Sequence, residues 1–75
     1  MKLTQLSAKQ NGRIARLTGS DALRQRLVAL GVLRGQPISI AATSLWGNPK
    51  SYRIGLQQIC LRDEDAACIE VELLS

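Results

Sequence analysis

Seventy-five residues, 45% of them apolar, are too few for two domains and too apolar for a disordered chain. There is no Phe and no His, and the aromatics are Trp46 and Tyr52, so the core falls to Leu, Ile, Val and Ala and imidazole chemistry is excluded. The net charge of +4 is uneven: residues 1–62 hold ten Lys/Arg and one acid, summing to +9, and residues 63–75 hold five acids and no base, summing to −5.

Leu3 and Leu6 sit at helical spacing in a short lead-in, followed by the polar turn Ala8 to Gly12. Arg13 to Leu17 reads as a strand, but Ile14 and Leu17 have opposite parity, which predicts a bulge or burial on both sides. After Thr18-Gly19 comes the clearest element, a helix over residues 21–30. Ser20 is its N-cap candidate and Asp21 complements the helix dipole. Leu23, Leu27 and Leu30 form its apolar stripe. Gly31 fits the left-handed position that ends a helix, with Val32 and Leu33 as the apolar latch.

Arg34 to Pro37 is a turn, and Ile38, Ile40 and Ala42 alternate as the inward residues of the next strand. Ser44-Leu45-Trp46-Gly47-Asn48-Pro49 is a loop or hairpin connection. Tyr52, Ile54 and Leu56 share one parity and Ile59 and Leu61 the other, so a bend or tight hairpin is expected between Gly55 and Gln58. Asp63 is placed to cap one helical turn reaching residue 67, and Ile69, Val71 and Leu73 alternate as a final half-buried strand. The fold class is therefore mainly β: about five short strands and one helix, for which closure into a small barrel is the economical way to remove exposed edges. One domain over residues 1–75 is expected.

Met1-Lys2 leads into Thr4, Gln5 and Ser7 instead of an apolar stretch, so no signal peptide is expected and the chain is read as cytoplasmic. Cys60 and Cys68 then read as reduced core or rim thiols, not as a disulfide. The longest apolar run, Leu27 to Leu33, falls far short of the ~20 residues of a membrane helix.

From the helix onward the residues resemble a known family. The run Arg26-Leu27-Val28-Ala29-Leu30-Gly31-Val32-Leu33-Arg34-Gly35-Gln36-Pro37-Ile38 is similar to the R-L-x-x-L-G-hydrophobic-x-x-G-x-x-hydrophobic pattern of the ferrous iron transport protein A (FeoA) family. Gly47-Asn48-Pro49 resembles its G-D-P turn, and Ile59 to Arg62 with Ala66, Ile69 and Val71 resembles its closing segment. Asn48 stands where Asp is usual, Lys9 where a turn Gly is usual, and Leu56 where a strand Gly is usual, with Gly55 one place earlier. The resemblance implies an SH3-like barrel that also looks like the C-terminal domain of diphtheria-toxin-repressor-like regulators. It further implies a non-enzymatic accessory or regulatory role in ferrous iron transport beside the membrane permease FeoB, whose cytoplasmic portion binds GTP. Iron association is implied only at the family level.

The residues themselves carry no catalytic constellation: no Gly-rich phosphate loop is present, and no Ser or Cys has an evident base beside it. Asp63 and Asp65 pair two carboxylates where helix capping explains them. Two isolated Cys do not supply a structural zinc site, so neither metal nor cofactor is expected. A basic body with an acidic tail suits an acidic protein, a phosphate-bearing ligand or an anionic membrane face, and solvated charge explains it equally well. Single-stranded nucleic acid is the alternative class of ligand, but no strand interleaves Arg with aromatics. Protein binding accounts for more. Trp46 beside Asn48, with Tyr52 nearby, forms a candidate anchor, or Trp46 equally a lid folded over the core, and Arg24, Arg26 and Arg34 form a candidate basic rim.

Overall fold

The computed structural model describes residues 1–43 and 47–74. A 3-10 turn, Leu3–Gln5, precedes strand β1 (Gly12–Leu17), helix α1 (Asp21–Ala29), strands β2 (Pro37–Thr43), β3 (Lys50–Ile54) and β4 (Gln57–Leu61), the one-turn helix α2 (Asp63–Ala66) and strand β5 (Ile69–Leu73). The five strands form one antiparallel sheet in the order β4-β3-β2-β1-β5. Leu61 of one edge strand and Ile69 and Val71 of the other join the same buried cluster as Ile14, Ile38, Tyr52 and Ile54. Residues from both ends of the sheet can meet in one core only if the sheet curls, and it does so around Leu3, Leu6, Leu27 and Val32.

The helix begins as its sequence dictates, with the Leu23 N–H donating to Ser20 Oγ at 3.1 Å. Its end departs from the simple stripe. Leu30 is the C-cap and is 44% exposed, whereas Val32 is wholly buried. The cause is the reversal at Gly31, whose φ of 96° suits glycine. The Gly31 N–H donates to the Val28 carbonyl and the Val32 N–H to the Leu27 carbonyl, a paired closure that swings Val32 into the place a further helical turn would have given Leu30. Leu23 is half-buried and Leu27 fully buried.

Register irregularities explain the broken alternations. The β1–β5 pairing shifts between Ile14 and Arg16, the bulge that the opposite parities of Ile14 and Leu17 require. A second shift, between Ile40 and Ala42, was not legible in the sequence; it turns Ala42 outward beside Ser51, so Ala42 is exposed and not inward. The β3–β4 connection is the two-residue hairpin Gly55-Leu56. Gly55 takes φ 60° at its first position, as such a turn demands, and Leu56 points into solvent instead of continuing the Tyr52–Ile54 row.

Helix α2 also differs in detail. Arg62 occupies its cap position without a side-chain bond, and Asp63 is the first helical residue. The Asp63 N–H donates instead to Asn48 Oδ1 at 3.0 Å, so a side chain from the β2–β3 connection caps this turn. Both cysteines are free: Cys60 lies exposed on β4, with its Sγ 3.1 Å from Ser51 Oγ, and Cys68 is partly buried before β5. Cys60 is thus a surface thiol, because its parity on β4 matches outward Ser51.

Candidate partner-binding surface

Charge is distributed by the fold in a way the linear sequence hides. The acidic tail lies back across the basic body. Arg13 faces Glu72 and Arg16 faces Glu70 across β1–β5. Asp65 accepts from Arg26 at 3.2 Å, Asp63 lies 4.0 Å from Lys50 and Glu64 3.9 Å from Arg62. Arg24 is engaged by Asp21 one turn earlier on α1. Of the three arginines expected to form a basic rim, Arg24 and Arg26 are therefore neutralised. Arg34 is exposed and has no ion pair among the described residues.

Tyr52 does not contribute to the expected aromatic anchor. Tyr52 has no exposed surface, because its position on the interior strand β3 faces the core beside Ile40 and Ile59. A partner cannot reach it, and Tyr52 is corrected to a core residue. Its hydroxyl is buried without a hydrogen-bond partner among the described residues. Burial, reinforced by the nearby negative charge of Asp63, raises its pKa, so the phenol stays neutral. Trp46 lies outside the described residues. Asn48 is exposed, but its side-chain oxygen is committed to capping α2.

A different surface exposes apolar side chains around a groove. The loop after α1 packs against the β3–β4 hairpin and leaves a groove of about 300 Å³ lined by Gly31, Leu33, Gln36, Ile54, Gly55, Leu56 and Gln57. Two glycines let the loop and hairpin approach closely. A Cβ on Gly31 would lie 2.9 Å from Gln57 Oε1, and one on Gly55 would lie 2.7 Å from Gln36 Oε1. Leu33 is 42% exposed and Leu56 wholly so, a cost in water that a covering partner would relieve. Arg34 sits in the loop between Leu33 and Gly35. No lining residue is titratable or nucleophilic, so the groove has the chemistry of a docking surface. Sequence reasoning named Arg34 but missed Leu33 and Leu56. The signal was present in Leu56, a large apolar residue next to the glycine of a tight turn, where polar residues are usual.

The described residues bring no three Cys, Asp, Glu or His side chains together as metal ligands. No helix among them is long and apolar enough to cross a membrane.

The family model described as the FeoA domain matches residues 1–73. The chain is 36% identical over all 75 of its residues to the Fe(2+) transport protein A/Fe(2+) transporter FeoB fusion protein of Porphyromonas gingivalis, of which it spans 9%. Among solved structures, iron(II) transport protein A from Clostridium thermocellum superposes with a TM-score of 0.90 at 38% identity, covering 99% of this chain and 46% of that one. FeoA from Stenotrophomonas maltophilia, described as an SH3 domain protein and solved with zinc, gives a TM-score of 0.76 at 25% identity, over 96% and 89% of the two chains. With the five-stranded curled sheet, the single long helix and a family match across nearly its whole length, the chain belongs to the FeoA family.

Proposed function

We propose that this protein is a non-enzymatic accessory subunit of ferrous iron transport that docks onto the cytoplasmic GTP-binding portion of a FeoB-like permease, and is held at the membrane by that partner. The observation that carries the partner is the Porphyromonas gingivalis relative, in which a region 36% identical to this whole chain shares one polypeptide with FeoB. The observation that carries the mode is the groove between the α1–β2 loop and the β3–β4 hairpin. It exposes Leu33 and Leu56, next in the chain to Arg34, which has no ion pair among the described residues, and no lining residue is titratable or nucleophilic. Fully burying a leucine side chain is worth about 1.5–3 kcal/mol, so two leucines and one guanidinium form a plausible centre for a modest interface.

The nucleic-acid alternative is weakened by the burial of Tyr52, one of the two aromatics it needs for base stacking. The test is a calorimetric titration of the full-length permease, in nanodiscs with and without guanine nucleotide, against the wild-type chain. Leu56→Asp and Arg34→Glu are the variants, and a single-stranded oligonucleotide is the competitor. Docking predicts saturable binding, lost with Leu56→Asp and weakened, with a smaller salt dependence, in Arg34→Glu. Oligonucleotide binding with no response to the permease would reject it.

A further inference from the structure

The two edges of the sheet are treated differently. Strand β5 is covered by the start of the chain: Lys2 bridges to Glu70, the Val71 N–H donates to the Met1 carbonyl at 2.7 Å, and the Met1 amino group returns a bond to the Val71 carbonyl at 3.0 Å. Strand β4, at the other end, has no such cover among the described residues. The two-residue hairpin makes Ile54 and Gln57 a hydrogen-bonded pair, so Tyr52 with Ile59 and Lys50 with Leu61 follow as bonded pairs. Gln58 and Cys60 fall at the alternate positions, and their backbone N–H and C=O groups point away from β3. Neither backbone takes part in any other hydrogen bond among the described residues, and both residues are exposed.

The composition of this edge matters as much as its geometry. Gln57-Gln58-Ile59-Cys60-Leu61 contains no charge and no proline, the devices by which proteins usually keep a free edge from pairing. Its Gln57 end opens on the groove that exposes Leu33 and Leu56. An open row of donors and acceptors leading into an apolar groove is the layout that takes an extended peptide, with backbone bonds along the strand and a side chain in the groove.

We infer that β4 accepts an extended segment of the permease's cytoplasmic portion as a sixth strand, with a large apolar side chain of that segment set between Leu33 and Leu56 and a carboxylate beside Arg34. The inference rests on the proposed docking to a FeoB-like permease and names its contact. Charge chooses the occupant. Arg34 has no ion pair among the described residues and calls for an acid, whereas in a second copy the acids next to β4, Asp63, Glu64 and Asp65, already face Lys50, Arg62 and Arg26. Size points the same way: a five-residue edge and one groove fall below the roughly 1,200 Å² of a standard stable interface. A weak contact of that kind suffices where the partner is held nearby. In the Porphyromonas gingivalis protein the two are one polypeptide, and such tethering gives effective concentrations on the order of millimolar.

The backbone of Gln58 provides the test. Proline there removes the outward N–H and leaves every β3–β4 bond intact, whereas Gln58→Ala changes the side chain and keeps the donor. Binding of each to full-length permease in nanodiscs is measured by titration, with amide hydrogen exchange on the wild-type chain in parallel. The edge assignment expects Gln58→Ala to bind within about twofold of wild type and Gln58→Pro to bind at least about tenfold more weakly. It also expects the Gln58 and Cys60 amides, exchanging fast in the free chain, to become protected on binding. Tight wild-type binding with those two amides unprotected overturns the edge contact and leaves docking standing. The exchange result decides alone if Gln58→Pro does not fold. Protection that grows with protein concentration in the absence of permease assigns the edge to a second copy and overturns the partner strand. Absence of any wild-type binding removes the docking proposal and this inference together.

Discussion

Tyr52→Phe should stabilise this protein, an unusual outcome for a change in the centre of a core. The substitution removes one oxygen from a side chain with no exposed surface, and that oxygen has no hydrogen-bond partner among the described residues. Desolvating a hydroxyl without a compensating bond costs about 1–3 kcal/mol, and phenylalanine fills the same ring volume. For a chain of this size 1 kcal/mol moves the melting temperature by roughly 4–8 °C, so calorimetry at neutral pH should show a rise of at least about 4 °C. The pH dependence adds a second reading. Burial, with Asp63 nearby, holds the Tyr52 phenol above its ordinary pKa of 10.0 in the folded chain. Above that ordinary value the unfolded chain releases the proton while the folded chain retains it. The wild type therefore loses stability as pH climbs past about 10, and Tyr52→Phe lacks that loss. The difference between the two proteins should be flat at neutral pH and widen in alkali. A fall in melting temperature on Tyr52→Phe would mean that the hydroxyl has a partner such as the Asp63 carboxylate, and would refute the reasoning.

Leu27→Ala should cost about 2–5 kcal/mol, because Leu27 is 1% exposed in a small core, whereas Leu30→Ala should cost well under 1 kcal/mol; equal effects in thermal melts would mean the helix is rotated from its described phase. Asn48→Ala should lower stability by about 1 kcal/mol through loss of the α2 cap, and NMR should show faster exchange of the Asp63 amide; an unchanged exchange rate would exclude the cap. Chelator should leave the melting temperature unmoved, since the described residues bring no three metal-ligating side chains together; a large drop would point to Cys60 or Cys68 as a ligand.

Local chemistry made most of the fold legible. Ser20, Asp21 and Gly31 mark the ends of α1 by capping and left-handed backbone, effects contained within a few residues. The parity clash of Ile14 and Leu17 announced the β1 bulge, and the phase flip after Ile54 announced the hairpin. What escaped depends on partners distant in sequence. The β2 bulge that turns Ala42 outward is a property of pairing with β3, and nothing in Ile38 to Ala42 encodes it. The cap of α2 comes from Asn48, fifteen residues before Asp63, so a local reading assigned that role to Asp63 itself. Leu30 misled for a local reason, because the chain reversal at Gly31 gave its core place to Val32.

The candidate site was less legible than the fold. Tyr52 has the composition of an interface residue, but its inward place on β3, paired on both sides, buries it, and strand order is not written in a single strand. The +9 and −5 segments suggested a basic surface, yet β5 and α2 return the acids to Arg13, Arg16, Arg26, Lys50 and Arg62. Arg34 keeps its place in the site because it has no ion pair among the described residues. Leu33 and Leu56 enter it because the loop and the hairpin, separate in sequence, converge through Gly31 and Gly55.

Amide NMR of the isotopically labelled chain, titrated with full-length FeoB-like permease in nanodiscs, tests the central claim most directly. Docking at the groove predicts that the Leu33, Arg34, Leu56 and Gln57 resonances shift or broaden first, while those of Arg13, Arg16 and Glu72 on the β1–β5 face stay in place. Perturbation centred on the β1–β5 face, or none at permease concentrations up to about 100 μM, where affinities weaker than roughly −5.5 kcal/mol would begin to escape detection, would contradict it.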